Sequence, residues 1–219
     1  MSGREQTDFL YPFIDANERD ATALLVDLAR SAGAKWDDSA VLRQVTLEVQ
    51  ATVLANAADA MASRFASGGR LFTFGNGGSA TDAASVAALF AAPPSGRSLP
   101  ARNLAEDPAV LTALGNDVGF DLIFSRQIIA HAQAGDIALG ISTSGGSRNV
   151  LSALAEAHKR GMLTLGLAGY GGGELAQSSD VAHCLVVDAD SVHRIQETQA
   201  ALACALWTLV QQRLEDLDG

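Results

Sequence analysis

Residues 142–147 read Ser-Thr-Ser-Gly-Gly-Ser, directly after the apolar run 136–141. Ser142, Thr143, Ser144 and Ser147 surround two glycines where a strand should hand over to a helix. Hydroxyls and bare backbone N–H groups at a helix start cradle an anion, and phosphate fits such a cradle best. Four hydroxyls in six residues also exceed what a helix cap needs. A second loop, Gly75-Asn76-Gly77-Gly78-Ser79, follows the apolar run 71–74. Two such loops at the ends of neighbouring strands predict one phosphorylated ligand between them. Neither loop is a nucleotide fingerprint: Ala80 breaks the GxGxxG pattern, and no Gly-Lys-Ser/Thr follows.

The ionisable residues suggest less. His193 and Glu197 are four apart at the start of the last expected helix, so they share one face. Such a pair can serve as acid and base in proton transfer. It can equally be a salt link, with the glutamate complementing the helix dipole. His131 and His158 fall on ordinary helices, as surface or packing residues. His183, Cys184, His193 and Cys204 match no common zinc spacing. Cys204, among Ala200, Leu202 and Leu206, reads as a buried structural thiol.

Two kinds of element must position these loops. Up to residue 68 the pattern is helical: 15–32, ending at Gly33, and 37–66, with an apolar stripe through Val41, Val45, Val49, Val53, Ala57 and Met61. Pro12 precedes the first helix, where a proline is tolerated. Residues 1–68 are expected to pack on the core and on other subunits. From 69 to 219 strands and helices alternate. Strands are expected at 70–75, 99–104, 136–142, 162–168 and 181–188, and helices at 79–92, 107–114, 120–134, 147–160, 174–178 and 192–217. Near-continuous apolar strands joined by helices predict an α/β fold, a parallel sheet covered on both faces. Ligands in such sheets bind at the carboxyl ends of the strands, where both loops lie.

Composition narrows the partners. The 219 residues carry 15 Lys+Arg against 25 Asp+Glu, a net charge of −10. So acidic a chain is a poor candidate for direct nucleic-acid binding, while a local cradle still overrides the global field at short range. No stretch approaches the ~18 uninterrupted apolar residues of a membrane span. The first 13 residues contain charges and a proline where a signal peptide needs an apolar run. Two cysteines without a CxxC spacing point to a reducing compartment. The expectation is a cytoplasmic protein with no membrane and no nucleic-acid partner.

Four motifs in order carry a family resemblance: Gly75–Ser79, then Gly115-Asn116-Asp117-Val118-Gly119-Phe120, then Ile141–Ser147, then Arg194-Ile195-Gln196-Glu197. Over residues 70–214 the chain resembles the sugar isomerase (SIS) domain proteins, and within them the phosphoheptose isomerase group, which interconverts sedoheptulose 7-phosphate and a heptose 7-phosphate. The resemblance implies a three-layer sandwich with a five-stranded parallel sheet and N-terminal helices, assembled as a homotetramer, with a homodimer as the smaller option. It implies phosphate on Ser142, Thr143, Ser144 and Ser147, the sugar on Asn76, Gly77 and Ser79, and Asp117 and Gln196 lining the site.

The chain also departs from the group's pattern. Zinc-dependent members place a histidine and a glutamate where this chain has Ser85 and Leu89, and a histidine where it has Cys204; only Gln196 is kept. Zinc needs at least three protein donors. The expectation is that the family zinc is lost, leaving no cofactor and no metal. Two readings remain: a zinc-free phosphosugar isomerase using His193 and Glu197, or a catalytically silent module that binds a phosphosugar and acts as a regulatory or protein-interaction partner.

Overall fold

The computed structural model describes residues 21–218. Pro12 and the start of the first expected helix, 15–20, lie outside the described residues, as does the N-terminal stretch weighed as a signal peptide. The chain divides into two compact units, Met1–Val41 and Leu42–Gly219. In the described part of the first unit every residue is helical. Helix α1 spans Ala21–Ala66, where two helices broken at Gly33 were expected. A lone glycine weakens a helix by about 1 kcal/mol relative to alanine and does not end it unaided.

The second unit holds the sheet. Its strands are β1 Leu71–Gly75, β2 Ala101–Asn103, β3 Ile137–Ser142, β4 Leu163–Gly169 and β5 His183–Val187. They are all parallel, in the order β2-β1-β3-β4-β5. The helices are α2 Gly78–Ala91, α3 Pro108–Asp117, α4 Ile123–His131, α5 Arg148–Lys159, α6 Gly173–Gln177 and α7 Val192–Asp218, with a short 3-10 turn at Phe120–Leu122. Every residue of β1, β3 and β4 is buried, as strands covered on both faces require.

Alternation along the strands splits the core in two. Leu71, Leu139 and Leu165 face the side covered by α2, α7 and the later part of α1, including Ala57, Met61 and Phe65. Phe72, Phe74 and Ala138 face α4, α5 and α6. Ring pairs tie both sides, Phe65 with Phe90 at 5.8 Å and Phe74 with Phe124 at 5.4 Å. The result is a three-layer sandwich, as the sequence predicts.

Strand order reverses between β1 and β3, which pair in register from Leu71↔Ile137 to Gly75↔Ile141. A parallel sheet opens its ligand crevice at such a switch point, beyond the carboxyl ends of the strands. Both glycine loops leave the sheet there. No helix among the described residues is long and apolar enough to cross a membrane.

Candidate functional site

The serine loop begins where β3 ends and finishes as the cap of α5. Ser142 is buried, Ser147 half-buried and Ser144 exposed. Ser142 Oγ lies 2.9 Å from Ser147 Oγ and 3.4 Å from Ser144 Oγ, so three hydroxyls converge at the start of a twelve-residue helix. Ser144 Oγ also accepts from the Gly146 N–H at 3.3 Å. Ser147 caps α5 by position without bonding its own helix through the side chain. That leaves its hydroxyl to the cluster. Gly145 adopts φ +65°, and a Cβ there would collide with the backbone of Gly172, so only glycine closes this turn. Thr143 contributes its carbonyl, which accepts from the Gly169 N–H at 3.0 Å and holds the loop to the end of β4.

The first loop runs from β1 into α2. The Asn76 amide exchanges two hydrogen bonds with Asn149 on α5, at 2.8 and 2.9 Å. Asn149 is buried and was not singled out from the sequence, because 73 residues separate the pair. Ser79 is buried in the first turn of α2, beside the exposed Gly77. A Cβ on Gly78 would overlap the Gln196 amide, so this glycine lets α7 approach the loop.

Gln196 Nε2 in turn donates to Asp82 Oδ2 at 3.4 Å. Asp82 is half-buried, and burial pushes its carboxyl above the ordinary range, opposed by the Gln196 hydrogen bond. An open cavity of about 430 Å³ is lined by Gly78, Thr81, Asp82, His193, Gln196, Glu197 and Ala200. A second, more apolar cavity of about 280 Å³ lies between α2 and α7, with Asp82, Ser85, Leu89, Gln199, Ala203 and Cys204 in its wall. Asp82, absent from the residues expected at the site, lines both cavities. Its spacing was the available signal, since it falls three residues after Ser79 on the same face of α2.

His193 and Glu197 do share a cavity, but both are exposed at its rim. Asp117 ends α3 on the surface, with its Oδ1 accepting from Asn116, and lines neither cavity among the described residues. Cys204 is exposed, against the expectation of a buried thiol. Its apolar neighbours Leu202 and Leu206 are two residues away and lie on another face of the helix. Cys184 is the shielded cysteine, its thiol pushed up to about 11 by burial. A cavity of about 490 Å³ opens at the other end of the sheet, by Arg70, Pro100 and Arg102, away from both loops.

At the positions that the family resemblance gives to zinc, the chain presents few donor atoms. Leu89 offers no donor atom, and Ser85 Oγ is given to the Thr81 carbonyl at 3.0 Å. The Gln196 amide nitrogen points to Asp82. Cys204 and the Gln196 carbonyl fall short of the three or more donors that zinc takes.

A doubly wound parallel sheet with a hydroxyl cradle at its switch point defines an α/β protein with an anion-type site at the carboxyl ends of its strands. The chain belongs to the SIS domain family, whose model matches residues 37–169. It is 44% identical over 164 residues to a phosphoheptose isomerase of Pelobacter propionicus, covering 74% of this chain and 86% of that protein. It is 39% identical over 178 residues to that of Aquifex aeolicus, covering 80% and 92%. Among solved structures, the phosphoheptose isomerase of Neisseria gonorrhoeae superposes with a TM-score of 0.78 at 35% identity, over 84% of this chain and 99% of that one.

Proposed function

We propose that this protein binds a phosphorylated ketose or aldose and interconverts the two forms without the family's zinc. The observation that carries the reading is the convergence of Ser142, Ser144 and Ser147 at the start of α5. The phosphate sits there on hydroxyls and helix N–H groups, where the dipole favours an anion. Thr143 completes that loop. The sugar extends past Asn76, Gly77 and Ser79 toward Gln196; the family resemblance adds Asp117, which stands on the surface of this protomer. His193 and Glu197, on the rim, assist ring opening and move hydroxyl protons. The similarity to phosphoheptose isomerases makes sedoheptulose 7-phosphate the first substrate to test.

The protein works in the cytoplasm as a homotetramer on this reading. Val45 and Val49 expose apolar side chains on α1, as a helix prepared for a partner subunit does. Loss of donors at Ser85 and Leu89 favours a second reading, a silent phosphosugar-binding module with a protein partner. Purified protein incubated with sedoheptulose 7-phosphate and other ketose phosphates, with EDTA and with added zinc, separates the two. Aldose formation that survives EDTA supports the zinc-free isomerase. Ligand-induced stabilisation without product supports the silent module.

A further inference from the structure

Interconverting an aldose and a ketose requires a base that reaches a carbon-bound proton. Leu89 and Cys204 occupy the places where the family resemblance implies the proton-moving glutamate and histidine. The ionisable side chains of the open cavity are Asp82, His193 and Glu197. The last two are exposed at the rim, whereas Asp82 is half-buried and also lines the inner cavity between α2 and α7. Gln196 fixes its carboxylate from α7 by the 3.4 Å bond to Oδ2. The same inner cavity is walled by Gln199, which is 1% exposed and whose amide nitrogen and oxygen have no hydrogen-bond partner. A buried amide left unsatisfied beside a cavity calls for a polar partner there, a water or a ligand group.

We propose that Asp82 is the catalytic base of this site, taking the proton from the carbon beside the substrate carbonyl and returning it to the neighbouring carbon. The assignment rests on the isomerase reading given above. Starting from a ketose, the C1–H bond breaks and its proton goes to the Asp82 carboxylate. The electron pair forms the C1=C2 bond, and the carbonyl oxygen becomes the enediolate oxygen. The Asp82 carboxyl then protonates C2 as the C1 carbonyl forms, while one hydroxyl proton passes from O1 to O2. Nothing is oxidised overall and no group leaves, so no co-reactant is needed. Asp82 suits this work because it lines both the open and the inner cavity, on the helix that follows the Gly75–Ser79 loop.

The test follows the full-length protein in D2O with sedoheptulose 7-phosphate and fructose 6-phosphate. NMR reports deuterium entering C1 and C2, and a thermal-shift assay with the same sugars reports binding. The expected result is exchange and turnover in the wild type. Both should fall by roughly 10²–10⁴-fold in Asp82→Asn, while the sugar-induced thermal shift is retained. Asp82→Ala, with formate supplying the missing carboxylate, should regain exchange and guards against misfolding of the asparagine variant. Wild-type exchange rates in Asp82→Asn overturn the assignment. So does loss of the thermal shift together with exchange in both variants without formate rescue, which marks a structural role. A wild type that binds these sugars without exchange or turnover overturns Asp82 as base and leaves phosphosugar binding standing. A wild type that neither binds nor turns them over overturns the isomerase reading with it.

Discussion

Asn76 and Asn149 hold each other by a reciprocal pair of amide hydrogen bonds, 2.8 and 2.9 Å long, across the switch point of the sheet. One residue belongs to the loop after β1 and the other to the first turn of α5, so the pair ties the two glycine loops in one register. Removing one partner leaves the other amide short of a hydrogen bond near the core. Asn149→Ala is therefore expected to lower stability by about 1–3 kcal/mol. That corresponds to a fall in thermal midpoint of roughly 2–12 °C for a domain of this size. Thermal melts check it, and an unchanged midpoint would show that the pair is replaced by water at no loss.

The phosphate cradle makes the second prediction. Hydrogen bonds to a charged group contribute about 1.5–3 kcal/mol each. Ser144→Ala with Ser147→Ala removes two of the three converging hydroxyls. Affinity for a sugar phosphate should fall by about 100-fold or more on that scale, while the fold is retained because neither hydroxyl caps a helix end. Calorimetric titration measures it. Undiminished affinity in the double variant would sink the cradle.

How much of this was readable from the sequence depends on the range of each interaction. Apolar strand runs and glycine loops are local signals. They predicted the parallel sheet and put both loops at its carboxyl end, and the structure gathers Ser142, Ser144 and Ser147 there. Contacts between distant segments left no local trace. Asn149 is an ordinary helix residue until α5 is laid beside β1, and Asp82 is one carboxylate among alanines until α7 brings Gln196 to it. Apolar neighbours two residues from Cys204 lie on another face of α7, so local composition does not report its exposure. A lone glycine is a weaker signal than a helix stop, and α1 runs straight through Gly33.

Zinc supplies the third prediction. Leu89 carries no donor and Ser85 Oγ is bonded within α2, so chelation should leave thermal midpoint and turnover unchanged. Ser85→His, Leu89→Glu and Cys204→His together would place three donors beside Gln196, two of them four residues apart on one face of α2. Zinc added to that triple variant at about 1,000 times its Kd should stabilise it by about 4 kcal/mol. Equal stabilisation of the unaltered protein would show that its own side chains hold the metal after all.

Asp82 leads to a prediction about pH and stability. Burial raises its folded-state pKa above the ordinary 3.8, and the Gln196 hydrogen bond offsets only part of that. The unfolded chain therefore gives up this proton at a lower pH than the folded chain. Stability that Asp82 contributes is complete at pH below the unfolded value and is lost as pH rises through the folded one. At neutral pH the folded protein carries a partly desolvated carboxylate, a burden that functional sites commonly bear. Asp82→Asn keeps the shape and an oxygen for Gln196 while removing the charge. Its thermal midpoint should exceed that of the unaltered protein at about pH 7, with the gain shrinking toward about pH 4 as Asp82 becomes protonated. Melts of both proteins across that range decide the matter. A variant less stable at neutral pH would mean that the carboxylate strengthens the α2–α7 contact more than its burial weakens it.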